Sequence, residues 1–136
     1  MVSGFKFICF GDSVINLKEA LEFNVIGLTQ RHHFAEGEPL YYAIKSKNEW
    51  KVCGRAKAGK ETDINPFENP GRFYTYTVTD FEACIPFDIK QKSQQCLGPY
   101  WALIFQRPKV IESQEYNQFI VDSFRATDKK SMLSEL

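Results

Sequence analysis

Residues 36–56 constrain the fold of this chain more than any other stretch. An acidic turn, Glu36-Gly37-Glu38, leads into Leu40-Tyr41-Tyr42-Ala43-Ile44. A polar Lys45-Ser46-Lys47-Asn48-Glu49 follows, and then Trp50-Lys51-Val52-Cys53-Gly54-Arg55-Ala56. Leu40, Tyr42 and Ile44 alternate on the first segment, and Trp50, Val52, Gly54 and Ala56 on the second, which is the period of half-buried strands around a hairpin turn. The opposite parity carries Lys51, Arg55 and Lys57. The expectation is a β-hairpin with one core face and one basic face.

The rest of the chain supplies partners for that hairpin. Residues 5–10 have strand composition and stop at Gly11-Asp12-Ser13. Asn16, with Glu19 three residues on, resembles a reciprocal helix cap, and Leu17, Ala20 and Leu21 share one helical face. Residues 24–33 mix a Gly breaker with polar donors and read as a loop leading into one helical turn. After the hairpin, residues 57–71 contain Gly59, Asn65, Pro66, Pro70 and Gly71 and predict a long loop of the kind that carries function. Residues 73–79, Phe-Tyr-Thr-Tyr-Thr-Val-Thr, are a clear strand that continues to Ile85, with Pro86 ending its pairing. Residues 90–98 are polar and read as exposed. Residues 99–105 are nearly all apolar, bounded by Gly98 and Pro108, and predict a central strand buried on both sides. Ser113 then caps a helix through Tyr116, Phe119, Ile120 and Phe124. Residues 125–136 read as a frayed tail or the start of a linker.

Five or six strands with few helices imply an α+β fold, a small, strongly bent mixed sheet or barrel with two or three short helices, because closure removes unpaired edges. With 136 residues there is room for one such domain, placed at 1–124. Seventeen basic residues balance seventeen acidic ones, so net charge selects no partner. Local charge does: Lys45, Lys47, Lys51, Arg55, Lys57 and Lys60 face Glu49 alone across residues 45–60. Cys9, Cys53, Cys84 and Cys96 show no Cys-x-x-Cys spacing, and no secretory or membrane-spanning run is evident. The expectation is a cytoplasmic protein with reduced thiols and no membrane association.

Motifs for catalysis are poor. Gly54-Arg55-Ala56-Lys57-Ala58-Gly59-Lys60 approaches a phosphate-binding loop, but Glu61 stands where a magnesium-binding hydroxyl is required and no helix follows. His32 and His33 are adjacent and lack a third ligand at metal-site spacing. Nothing in the spacing selects a Cys/His pair, so no catalytic residue, metal or cofactor is assigned. More telling is the interleaving of basic residues with Tyr41, Tyr42, Trp50, Phe73, Tyr74, Tyr76, Tyr100 and Trp101. Rings that stack bases beside cations that hold phosphates are the equipment of single-strand or flipped-base binders.

The element order, and above all Asn24 to Gly54, resembles the PUA-like superfamily, the small barrels that include EVE, YTH and ASCH domains. The resemblance rests on Val25-Ile26-Gly27-Leu28-Thr29-Gln30-Arg31-His32-His33, the acidic Gly turn, the aromatic strand, and a return strand ending Val52-Cys53-Gly54. Glu38 stands where EVE-type members carry Asp, and the polar turn matches in character, not in letter. The resemblance covers residues 5–124. It implies a non-catalytic nucleic-acid-binding module, for DNA or RNA, that holds a base, modified or not, in an aromatic pocket between the first helix and the barrel. By position it implies Ser13, Thr29, Gln30, Arg31 and Trp101 at that pocket, and His32, Trp50 and Tyr100 complete the expected base-binding set. Lys45, Lys47, Lys51, Arg55, Lys57 and Lys60 are the expected phosphate contacts. Such a module suits the specificity domain of a restriction or RNA-processing system, with an effector following Arg125. Two alternatives remain: an ASCH-like hydrolase acting on a nucleoside with an acid or base from residues 29–38, and a module that binds protein or peptide through its exposed strands.

Overall fold

The computed structural model describes residues 4–136. Six strands are formed: β1 (Lys6–Cys9), β2 (Val25–Leu28), β3 (Pro39–Ser46), β4 (Glu49–Thr62), β5 (Tyr74–Asp88) and β6 (Ala126–Thr127). Four helices accompany them: α1 (Val14–Phe23), α2 (Lys90–Leu97), α3 (Gln114–Ser123) and α4 (Lys129–Ser134). The sheet order is β1-β3-β4-β5-β2, with β6 added on β5. Among the described residues only the β1–β3 pair is parallel. The long β4 and β5 bend through several register shifts, and each such irregularity strengthens local twist. The sheet therefore rolls until its two ends, β1 and β2, face one another across a cleft. This is the α+β half-barrel that the strand pattern implied. No helix among the described residues is long and apolar enough to cross a membrane.

Both faces of the rolled sheet are buried. Inside lie Ile8, Ile26, Leu40, Tyr42, Ile44 and Tyr76, closed by Leu17 and Leu21 of α1. Outside, Phe5, Phe7, Tyr41, Ala43 and Val52 pack under Tyr116 and Ile120 of α3. A bulge decides which residue goes where. Tyr42 pairs with Gly54 but Ala43 pairs with Val52, so Cys53 is the extra residue. Trp50 and Val52 therefore belong to the outer layer, while Gly54, Ala56 and Ala58 turn inward. The single alternating face expected for Trp50 to Ala56 is split in two at Cys53. Both buried thiols near this point, Cys53 and Cys84, are pushed up by desolvation, Cys84 to about 12, and stay protonated.

Several expected elements are replaced. Ser13, not Asn16, caps α1: its side chain accepts from the Asn16 N–H at 3.1 Å, while Asn16 Oδ1 accepts from Glu68 N–H and ties the distant loop between β4 and β5 to this helix. Residues 25–28 form a strand, because Val25 and Ile26 find buried positions beside β5. The near phosphate-loop lies wholly within β4, which runs to Thr62, so the long loop shrinks to residues 63–73. Asn65 braces that loop, donating to the Pro70 and Phe73 carbonyls. Pro86 does not end β5, since it falls within the register shift between Val52 and Gly54, where no ladder donor is required. Residues 90–97 are helical.

The largest corrections concern residues 99–105 and 125–136. The apolar run expected as a central strand is a 3-10 segment, Trp101–Phe105, begun by Gly98 at φ 85 and closed by Gln106 N–H donating to Leu103 O. The inner strands β3, β4 and β5 are paired on both edges, so no central place remains, and a short apolar run is equally compatible with a helical turn. The supposed tail carries β6 and α4, and Met132 is fully buried in the inner core. Asp128 caps α4 by accepting from the Ser131 N–H at 2.7 Å, an acid placed at a helix start where it is favoured.

Candidate functional site

The cleft between the two sheet ends has two connected halves. The first, about 210 Å³, is lined by Phe7 and Cys9 of β1, by Gly27 and Leu28 of β2 with the following Thr29, Gln30, Arg31 and His32, by Phe73, and by Phe105, Gln106, Arg107 and Pro108. The second, about 230 Å³, shares Cys9, Gly27, Thr29 and Phe73 and adds Phe10, Gly11, Asn16, Phe67 and Arg72. Its walls are aromatic and its rim carries amides and guanidinium groups, the usual division between shape-filling and orienting groups in a ligand site. The cleft exists because β1 and β2 are the ends of the sheet path. Among the described residues no strand lies between them, and the loop 63–73 and the segment after Trp101–Phe105 form the side walls.

Phe105 is the aromatic wall with the most support. Its ring stacks on Trp50 with centroids 4.4 Å apart and 25° between planes, and it meets Phe7 and Trp101 edge-on at 5.6 and 6.0 Å. Trp50 and Trp101 therefore brace the wall from behind. Tyr100 is 77% exposed beyond them. Of the expected base-binding set, the structure brings Thr29, Gln30, Arg31 and His32 together at the cleft, and places Ser13 at the α1 cap, Trp50 and Trp101 one layer back, and Tyr100 outside. Arg31 reaches over the Tyr74 ring at 5.2 Å and pairs with Glu61 at 3.3 Å, both on the exposed rim.

The six basic residues of the hairpin do not converge on the cleft. Lys45 and Lys47 sit at the exposed hairpin end. Lys51 pairs with Glu49 and Lys57 with Asp80, and Lys60 is exposed on the last part of β4. Arg55 lies 4.0 Å from the Phe124 ring centre. Burial works against its charge, but its bonds to Tyr41 and Glu82 outweigh that and raise its pKa. The cations at the cleft are instead Arg31, Arg72 and Arg107. Arg72 and Arg107 escape a search for charge clusters because Arg72 stands alone and Arg107 has only Lys109 near it in sequence. The available signal was Phe105-Gln106-Arg107-Pro108, a polar pair between a ring and a proline.

Beneath the rim lies a chain of contacts from Glu38 through Lys6 to His32. Lys6 Nζ is 2.7 Å from Glu38 Oε1 and 3.2 Å from His32 Nε2, and these Lys6 and Glu38 side chains are only 12% and 15% exposed. An ammonium can only donate, so Nε2 is the acceptor and the neutral ring carries its proton on Nδ1. Burial, and then the Lys6 charge, lower the His32 pKa below 6.5; Glu38 opposes them, and His33 and Arg107 add to the lowering. The His32 N–H also donates to Tyr76 Oη at 2.7 Å, which fixes the turn. Cys9 shares the cleft, but burial raises its thiol pKa and the Gly11 N–H only partly offsets this. A thiol that burial keeps protonated lacks the thiolate form that attacks.

A pH prediction arises here. In the unfolded chain His32 binds its proton near 6.5, and in the folded chain only at lower pH. The stability contributed by keeping this ring neutral is therefore present above 6.5 and lost as pH falls from there through the lowered folded value. A ring-proton NMR titration is expected to show His32 titrating below 6.5. Lys6→Met is expected to move His32 upward, since it removes the second-largest cause of the lowering and leaves Glu38 to favour the imidazolium. An unmoved His32 titration in that variant contradicts the Lys6 contact.

Among solved structures, the chain is similar to the crystal structure of the Pho92 YTH domain in complex with m6A. The TM-score is 0.63 at 14% sequence identity, over 93% of this chain and 86% of that one. At that identity the likeness concerns the fold, a YTH-type half-barrel consistent with the PUA-like resemblance of the sequence. No family model matches the chain, and no curated protein matches it.

Proposed function

We propose that this domain is a non-catalytic reader of single-stranded nucleic acid that takes a methylated base such as m6A into the cleft between β1 and β2. The observation that carries the reading is the cleft itself. Phe7, Phe73 and Phe105 offer apolar rings, and Thr29, Gln30 and His32 offer hydrogen-bonding groups on one continuous turn. The Pho92 YTH domain, whose fold is similar, was solved with m6A. A methyl group on an exocyclic nitrogen adds apolar surface and removes a donor, so a ring-walled cleft with few fixed acceptors favours it over the unmodified base.

In this reading Gln30 and His32 meet the base edge, Thr29 lies between the two halves of the cleft, and Arg31, Arg72 and Arg107 at the rim neutralise phosphates. Phosphate contacts position the strand without reading it. Burial keeps the Cys9 thiol of the cleft protonated, away from the thiolate that attacks, which favours binding over turnover.

The test is equilibrium binding of short single-stranded RNA and DNA, with m6A or adenine at one position, at several salt concentrations. The expected result is tighter binding of the methylated strand, with affinity falling as salt rises in proportion to the few phosphates neutralised. Equal affinity for methylated and unmethylated strands, or affinity indifferent to salt, overturns the reading.

A further inference from the structure

On the far side of the 3-10 segment Trp101–Phe105 lies a second concave surface, about 300 Å³, lined by Tyr100, Trp101, Leu103 and Ile104 together with Arg107 and Lys109. Glu112 also lines it, so the local balance is one positive charge. Tyr100 is 77% exposed and Leu103 55%, whereas Trp101 beside them is 8% exposed. A folded chain has every opportunity to turn such side chains inward, and the outward face of this segment is its apolar one. Arg107 lines both this groove and the cleft. Phe105 walls the cleft and its neighbour Ile104 the groove, so one helical turn separates two surfaces that share a cation.

We propose that this groove is the seat of the nucleotide next to the one held in the cleft. Its base stacks on the Tyr100 ring against Leu103, and the phosphate linking the two nucleotides is held by Arg107, with Lys109 holding the next. The proposal rests on the reading of the cleft as a base site. An exposed ring in a groove that cations also line is the arrangement by which single strands are held without regard to sequence, since every base has a face to stack. Continuity with the cleft, the shared arginine and the positive balance favour the continuing strand over an apolar peptide as occupant. The groove thus supplies affinity, and the cleft supplies discrimination.

The experiment compares two probes on the wild type and on Tyr100→Ala, a substitution at an exposed position that leaves the packed core untouched. The m6A nucleoside fills only the cleft, whereas a five-nucleotide RNA with central m6A reaches both surfaces. Tyr100→Ala is expected to leave nucleoside affinity unchanged and to weaken the RNA on the order of tenfold. RNAs with an abasic site on one side or the other of m6A are expected to lose the same factor on one side only, and Tyr100→Ala to add nothing to that loss. Equal RNA affinity in wild type and variant overturns the proposal and leaves the groove to a protein partner, as does an equal loss for both probes, which would put Tyr100 in the cleft. Failure of the wild type to bind either probe overturns the reading of the cleft, and this proposal with it.

Discussion

Met132→Ala is expected to lower the stability of the domain by about 2–5 kcal/mol, the range for truncating a fully buried Met, Leu or Ile. Met132 has no exposed surface and belongs to the inner cluster with Tyr42, Ile44 and Tyr76. It is delivered there by α4, which packs against β5 and which Asp128 caps. The strand that α4 packs against, β5, is held by ladder pairing with β4 on one side and with β2 and β6 on the other, so relaxation is small and the cavity cost is high. Lys130→Ala on the same helix, at an exposed position, is expected to change stability by less than about 0.5 kcal/mol. Urea denaturation of the two variants separates the cases. A Met132→Ala midpoint equal to that of Lys130→Ala would return residues 125–136 to the status of a tail.

That segment shows where sequence reasoning reaches its limit. Lys129, Lys130 and Ser131 are polar, and a six-residue helix presents a single buried side chain, so there is no periodicity to detect. The hairpin was legible because two long strands repeat one pattern many times, and β5 because Tyr, Thr and Val alternate without interruption. The bulge at Cys53 was not, since one inserted residue among small apolar ones leaves composition unchanged while exchanging inner and outer faces. The same limit governs the site. The polar turn after β2 stood out as a crowd of donors, and the structure brings Thr29 to His32 to the cleft. Phe7, Phe73 and Phe105 come from three distant places, and only the roll of the sheet makes them neighbours. Trp50 and Trp101 belong to the expected base-binding set as aromatic residues interleaved with basic ones. Burial behind Phe105 is the commoner fate of such rings, and here they set that wall's position.

Gly27 offers the sharpest test of the cleft, because it stands where the two halves join. It is a strand residue paired with Thr75, and a Cβ built on it would lie 2.8 Å from Phe67 Cε2 and 3.3 Å from Phe73 Cβ. Val suits a strand backbone, so Gly27→Val meets its difficulty in the space in front of the strand and not in the chain itself. Phe67 is buried and has little room to retreat. Overpacking of this kind costs about 1–3 kcal/mol of stability. In binding the effect is expected to be larger, since the added methyl groups occupy the volume that the base would take and displace the Phe73 wall. Loss of a stacked base face alone is worth about 1–3 kcal/mol, or roughly five- to 150-fold in affinity. The expected outcome is a folded protein with a lowered melting point, near-complete loss of preference for the methylated strand, and a remaining weak, salt-dependent affinity from the arginines of the rim. Gly27→Ala, with one carbon in place of three, is expected to fall between. A folded Gly27→Val variant that still distinguishes methylated from unmethylated RNA as the wild type does would place base recognition outside this cleft.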